Sequence, residues 1–318
     1  MKEFKRSLKI VMFIGIIFCL TKSDANAQYD PMFSQYMNNE MFINPGYAGS
    51  RDYISTFALY RDQWVGIDGA PTTQTFTIHA PLKKKKIGLG MSIMNEEIGV
   101  TKKFSVMGTY AYRLPVSDDA ILSFGLQGGF TSLQENLSEL TPVDGVNIDP
   151  LFMQDTPTKM APKAGFGMYY QKPSFYVGWS IPRLIESSID PTNNFEVNNE
   201  VNLKNWHNYI TAGYVFPVSE NLKLKPTIMT KAVFGAPVEW DFNVNALINE
   251  IIWVGASYRT GDAIALISSL NVSPQFRIGY SYDYTITDIG NHTSGSHEIS
   301  LGYDFNFKKK GISSIRYF

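Results

Sequence analysis

Ser296-His297-Glu298-Ile299-Ser300-Leu301-Gly302-Tyr303-Asp304-Phe305-Asn306-Phe307 is the stretch that decides how this chain folds. Successive side chains of a strand point to opposite faces. One face therefore carries Ile299, Leu301, Tyr303, Phe305 and Phe307, and the other Glu298, Ser300, Gly302, Asp304 and Asn306. A helix would scatter the same residues around its axis. The preceding segment repeats the pattern, with Phe276, Ile278, Tyr280, Tyr282, Tyr284 and Ile286 set against Arg277, Gly279, Ser281, Asp283 and Thr285. Further back, Val238, Trp240, Phe242 and Val244 alternate with Glu239, Asp241, Asn243 and Asn245. Segments of about ten residues with one apolar and one wet face have the height of a tilted strand crossing a bilayer.

The same period read along the chain predicts about fourteen strands, at 53–63, 72–80, 87–95, 101–113, 120–132, 161–171, 174–182, 205–216, 221–231, 237–247, 250–260, 263–272, 275–287 and 296–307. The fold class is all-β, a closed antiparallel transmembrane β-barrel. An even strand number puts both chain ends on one side, and closure leaves no unpaired strand edge in lipid. Connections mostly alternate in kind, with three short ones on the outer side, near Glu96–Val100, Ala232–Ala236 and Gly261, so that the parity rests on the order of turns and not on length alone. Pro81–Lys86, Leu114–Asp119, Lys172-Pro173, Pro217–Glu220, Ile248-Asn249 and Ser273-Pro274 are compact turns, expected in the periplasm with both termini. The other set holds the two longest connections, 133–160 and 183–204, with 64–71 and 288–295, expected to face outward. The long ones carry Glu135, Glu139, Asp144, Asp149, Asp155, Glu186, Asp190, Glu196 and Glu200. The basic runs Lys83, Lys84, Lys85, Lys86 and Lys308–Lys310 fall on the short-turn side, where they are either a solvated rim or a contact for anionic head groups or a protein.

Residues 1–27 read as a signal peptide, with a basic head at Lys2, Lys5, Arg6 and Lys9, an apolar run Ile10–Leu20, and Ala25-Asn26-Ala27 as the cleavage site. That run is too short for a spanning helix. The single cysteine, Cys19, lies inside it. Removing these residues takes away five basic and two acidic side chains, moving the formal charge from −1 to −4, so nothing suggests a nucleic-acid partner. Aromatics at 14% against charged residues at 18% suit an exterior that partly faces lipid and lipopolysaccharide. The four histidines, His79, His207, His292 and His297, occur in no metal-ligand or nucleophile-elbow context, so no enzyme, metal or cofactor is expected. Gly88, Gly90, Gly125, Gly128 and Gly129 lack a phosphate-loop setting and fit curvature or a crowded lumen.

Residues 28–52 are too aromatic for a disordered tail. They contain Gln28-Tyr29-Asp30-Pro31-Met32-Phe33-Ser34-Gln35-Tyr36 and Ile43-Asn44-Pro45-Gly46-Tyr47-Ala48-Gly49-Ser50. Asn-Pro-Gly is turn chemistry, and the segment is expected to be a lumen plug or a periplasmic cap held by Tyr29, Phe33, Tyr36 and Tyr47. The barrel is assigned to 53–307 and a periplasmic tail to 308–318.

Those two stretches, together with Arg61-Asp62-Gln63-Trp64-Val65-Gly66 and the closing Arg316-Tyr317-Phe318, resemble the PorP/SprF family of the type IX secretion system of Bacteroidetes. The resemblance covers Gln28 to Phe318. It departs at Gly46, where another small residue is common, and at Ile315, where proline is frequent. It implies a non-enzymatic outer-membrane component of the secretion and gliding machinery. Its implied partners are a secreted adhesin with a sorting C-terminal domain and the periplasmic ring lipoprotein complex. Candidate contact or scaffold positions are Tyr29, Asp30, Pro31, Phe33, Gln35, Tyr36, Asn44, Pro45, Tyr47, Ala48, Gly49, Arg61, Gln63, Trp64, Gly66, the Lys83–Lys86 run, Arg316, Tyr317 and Phe318. Two rival readings stand beside it, a diffusion porin lined by Arg277, Asp283, Glu298 and Asp304, and an outer-membrane lipid hydrolase.

Overall fold

A computed structural model describes residues 31–82, 86–139, 155–190 and 196–305. The expected signal peptide, Tyr29, Asp30, Lys83–Lys85 and the tail with Arg316, Tyr317 and Phe318 lie outside the described residues. The strands are β1 (Ile54–Asp62), β2 (Thr72–Leu82), β3 (Ile87–Ile98), β4 (Thr101–Pro115), β5 (Ile121–Glu135), β6 (Lys159–Lys172), β7 (Phe175–Ile181), β8 (Glu186–Asp190), β9 (Glu196–Glu200), β10 (Asn208–Tyr214), β11 (Phe216–Ser219), β12 (Leu222–Ala232), β13 (Glu239–Ile248), β14 (Ile252–Arg259), β15 (Ala263–Asn271), β16 (Phe276–Thr285) and β17 (Ser296–Phe305).

Each barrel strand pairs antiparallel with its sequence neighbours, and β1 closes the cylinder on β17 with Leu59 opposite Ser300. On the far side β10 lies between β7 and β12. The short β11 continues β10 after a break at Val215 and pairs with β12 through a register shift at Pro217, where proline can give the ladder no N–H. Counted as one with β10, it leaves a closed antiparallel barrel of fourteen strands. The pair β8 and β9 forms a separate hairpin in the connection 182–207, which the sequence reading takes as plain loop. Its residues Glu186-Ser187-Ser188-Ile189-Asp190 lack the long apolar alternation of a lipid-facing strand, so the period gives no sign of it.

The alternation falls as the sequence dictates. On β17 Leu301 is exposed on the outer wall, while Glu298 is fully buried and Ser300 nearly so. On β13 Phe242 and Val244 face out and Asp241, Asn243 and Asn245 face in. No helix among the described residues is long and apolar enough to cross a membrane; the crossing elements are strands.

The hydrophobic core lies inside the lumen. Residues 31–53 thread through it as a short 3-10 turn (Tyr36–Asn38), a single helical turn α1 (Glu40–Ile43) and a second 3-10 turn (Pro45–Tyr47). Tyr36, Met37 and Ile43 pack on Tyr209, Met229 and Ile267, and Phe33 packs on Phe57 and Leu59. Met41, Tyr47 and Ala48 pack on Ala111, Tyr169 and Tyr176. Each such large apolar side chain withdrawn from water is worth roughly 1.5–3 kcal/mol. The described part of the segment is packed inside the lumen.

The first described residue of the plug lies in the long-connection half of the lumen. Pro31 lies beside Lys163, Pro182 and Arg183, near the long connections. Arg51 reaches Asp304, next to the short-turn end of β17. The segment thus descends the lumen from the long-connection half and enters β1 from below.

Candidate functional site

The sequence motifs gather around this plug, and the lumen wall holds it in two ways. On one side the wall is ionic. Arg61 of β1 pairs with Asp283 at 2.8 Å and with Glu298 at 2.6 Å, all three nearly or wholly buried. Glu298 also accepts the backbone N–H groups of Ser34 at 2.7 Å and Gln35 at 3.0 Å. The Ser34 hydroxyl donates to Asp283 at 2.7 Å, and Ser300 donates to the Gln35 amide oxygen at 2.7 Å. Arg259 extends the network to Asp241 at 3.1 Å and Asp262 at 3.0 Å. Buried charges persist only when paired and hydrogen-bonded, and here the plug backbone supplies part of that pairing.

On the opposite side the wall is made of small residues. A Cβ at Gly125 would overlap the Pro45 carbonyl carbon and the Gly46 amide nitrogen, and one at Gly88 would overlap the Ala48 carbonyl. Only glycine lets the plug backbone approach these strands so closely. Asn44 fixes the register of the turn. Its side chain accepts from Gly46 N–H at 2.9 Å and donates to the Met168 carbonyl at 2.9 Å and the Trp179 carbonyl at 3.4 Å. Pro45 pre-sets the backbone for that turn. Tyr47 stands edge-on to Tyr169 at 5.3 Å and to His79 at 5.2 Å between ring centroids. Gly49, with φ of +73°, donates its N–H to His79 Nδ1 at 3.1 Å. Tyr36 shares a hydrogen bond of 3.1 Å with Thr227.

The second motif divides. Arg61 belongs to the ionic wall, whereas Gln63, Trp64 and Gly66 lie at the long-connection rim. Trp64 adopts φ of +53° and Gly66 +100°. Trp64 N–H donates to Ser296 Oγ at 3.1 Å, and Val65 exchanges backbone bonds with Gly295 and Ser294. Of the basic run, Lys86 alone is described; it is exposed at the other end, its carbonyl accepting from Arg113 N–H. In the neighbouring short turn, the Ser117 hydroxyl donates to Asp119 at 2.8 Å, and this bond, aided by Lys172, holds the Asp119 carboxyl below its usual range.

The sequence sets Arg277, Asp283, Glu298 and Asp304 in the lumen as pore lining; the three carboxylates are partners of the plug and of the arginines that secure it, and Arg277 donates to Asn38 of the plug. Ser34, Arg51 and His79 join the site although no motif in the sequence marks them as contact residues. A signal for the plug was present in the inward positions of the strands. Phe57, Leu59, Met107 and Met229 face the lumen, where an aqueous channel would have polar side chains. The described residues leave a cavity of about 80 Å³ below the long connections and one of about 30 Å³ at the short-turn mouth. Among the described residues no group of three His, Cys, Asp or Glu side chains could hold a metal.

A lipid-facing exterior around a lumen filled by the chain's own N-terminal segment defines an integral outer-membrane β-barrel with an internal plug. The chain belongs to the PorP/SprF family of type IX secretion system membrane proteins, whose family model matches residues 25–303. Similar solved structures are outer-membrane barrels. Omp33 of Acinetobacter baumannii is 10% identical, with 80% of this chain and 98% of that chain covered at a TM-score of 0.46. A Pseudomonas aeruginosa FadL homologue is 11% identical, with 87% and 95% covered and a TM-score of 0.47. The Ralstonia pickettii toluene transporter TbuX is 12% identical, with 89% and 96% covered and a TM-score of 0.48. No curated protein matches the chain.

Proposed function

We propose that this protein is a non-enzymatic, plugged scaffold of the type IX secretion and gliding machinery that supports export or surface attachment of particular adhesins bearing a sorting C-terminal domain. The family match along residues 25–303 carries this reading. The lumen supports a scaffold over a diffusion porin. The polar side chains a porin would present to water are engaged here with the plug or with one another, as in the Arg61–Glu298–Ser34 cluster. On this reading the mature chain starts after Ala27. The long connections face the cell exterior, lipid and lipopolysaccharide surround the wall, and the Lys83–Lys86 turn with residues 308–318 meets the periplasmic ring lipoprotein complex. The lipid-hydrolase alternative has no observation in its favour.

Deleting the gene and measuring surface adhesin together with colony spreading tests the role. Both should fall, and unchanged values would overturn the reading. Planar-bilayer recording tests the scaffold against the porin: intact protein should be electrically silent, and stable open channels would favour the porin.

A further inference from the structure

At the short-turn mouth the lumen ends in the smaller cavity, about 30 Å³, walled in part by Asn38, Arg51, Ser55, Gln275, Arg277 and Asp304. Its charges do not balance, because two guanidinium groups face one carboxylate. Both oxygens of that carboxylate are engaged: Asp304 accepts from the Ser55 hydroxyl at 2.6 Å and from Arg51 at 3.1 Å. Arg51 also donates to the Tyr47 hydroxyl at 3.2 Å. Arg277 is served differently. Its Nη1 donates to the neutral amide oxygen of Asn38 at 3.3 Å, a long bond, and its buried Nε has no hydrogen-bond acceptor. A guanidinium cannot shed its proton to escape this situation, and an enclosed donor without an acceptor costs free energy.

We propose that this cavity is a carboxylate-binding site, in which Arg277, with Arg51 beside it, takes one carboxylate presented from the short-turn side. The source is an acidic side chain on a protein partner or a free carboxylic acid. Three features select this chemistry. The forked N–H groups of arginine match the two oxygens of a carboxylate. The net charge of the cluster formed by Arg51, Arg277 and Asp304 is a single positive one, and Asp304 in the wall repels a dianion. The space is small, about 30 Å³, and suits one anionic head group more than an extended ligand. The site does not depend on the secretion role, since a barrel with another duty would carry the same unbalanced pair.

The test uses the full mature chain in detergent micelles at neutral pH and fixed ionic strength, with calorimetric titration of acetate, acetyl-Gly-Glu-Gly-amide, acetyl-Gly-Gln-Gly-amide and inorganic phosphate. The glutamate peptide should bind saturably and the glutamine peptide should not. Arg277→Gln should weaken the glutamate peptide at least tenfold. A peptide bound tenfold tighter than acetate identifies a protein-borne carboxylate, and equal binding identifies a free acid. No saturable carboxylate binding, phosphate bound as tightly as acetate, or unchanged affinity in Arg277→Gln would each overturn the proposal. Asn38→Asp guards against a folding failure in that variant, because it places a carboxylate within reach of Arg277 without removing a cation. It should keep the heat-modifiable folded barrel and lose binding of the added peptide; wild-type affinity in Asn38→Asp would also refute the site.

Discussion

The two walls that grip the plug differ in kind. The wall formed by β1, β14, β16 and β17 holds it with charge, through Arg61, Arg259, Asp283 and Glu298. The wall formed by β3, β5, β6 and β7 holds it by close approach, with Gly88 and Gly125 beneath the backbone of 45–48 and Gly167 and Gly178 against the Asn44 side chain. A charged wall specifies which groups must meet, whereas a small-residue wall specifies how near two backbones must come. Together they fix both the depth and the rotation of a segment that has almost no regular structure of its own.

Removing charge should have the larger effect. Arg61→Ala leaves Asp283 and Glu298 facing each other without their shared cation, and breaking a buried pair in this way costs about 3–5 kcal/mol. Urea unfolding followed by heat-modifiable gel migration should show that loss, and protease should reach the 31–52 segment of the variant. Glu298→Gln should cost less, about 1–3 kcal/mol, because Asp283 still answers Arg61 and one amide oxygen remains for Ser34 or Gln35. Equal stability of Arg61→Ala and wild type would mean that the ionic wall is incidental.

The small-residue wall comes next. Gly125→Val drives a branched side chain into the Pro45–Gly46 peptide, and overpacking of this sort costs about 1–3 kcal/mol. The two walls should separate by readout as well as by size. Gly125→Val should raise conductance in planar bilayers, since the strain is relieved by moving the plug off its wall. A silent, fully stable Gly125→Val would show that the plug tolerates a looser seat than the structure describes. Asn44→Ala removes one capping acceptor and two donors to the β6 and β7 carbonyls, and should cost about 1–2 kcal/mol in the same urea assay.

The difference between the walls also explains what could be read in the sequence. Lipid forces a period of two on every crossing strand, so the fourteen strands were legible to within a few residues, and the inward carboxylates of β13, β16 and β17 with them. Lipid imposes nothing on the lumen. There the decisive contacts join residues more than two hundred positions apart, such as Ser34 with Asp283 and Gln35 with Ser300. No local pattern encodes such a pairing. What the sequence did hold was indirect: apolar side chains at inward positions, Phe57 and Leu59 on β1 and Met107 on β4, and glycines at inward positions on β3 and β5. An aqueous pore has no use for either, and a packed lumen needs both. The β8–β9 hairpin and the break at Val215 stayed hidden because neither serves the bilayer.

Trp64 offers the smallest and sharpest contrast with both walls. It shares a motif with Arg61 yet leaves the lumen for the rim, half-buried and with a left-handed backbone that a bulky residue adopts at a cost. Retaining tryptophan there is uneconomical if its role is to hold the fold, because asparagine suits that backbone better. Trp64→Asn should therefore change stability by less than about 1 kcal/mol, the gain in backbone preference offsetting the lost indole contacts. On the proposed function, in which the long-connection rim meets cargo, adhesin display on cells carrying the variant should nonetheless fall. A loss of several kcal/mol in urea with display reduced only in proportion would assign Trp64 to the architecture, and with it the whole Arg61–Gly66 motif.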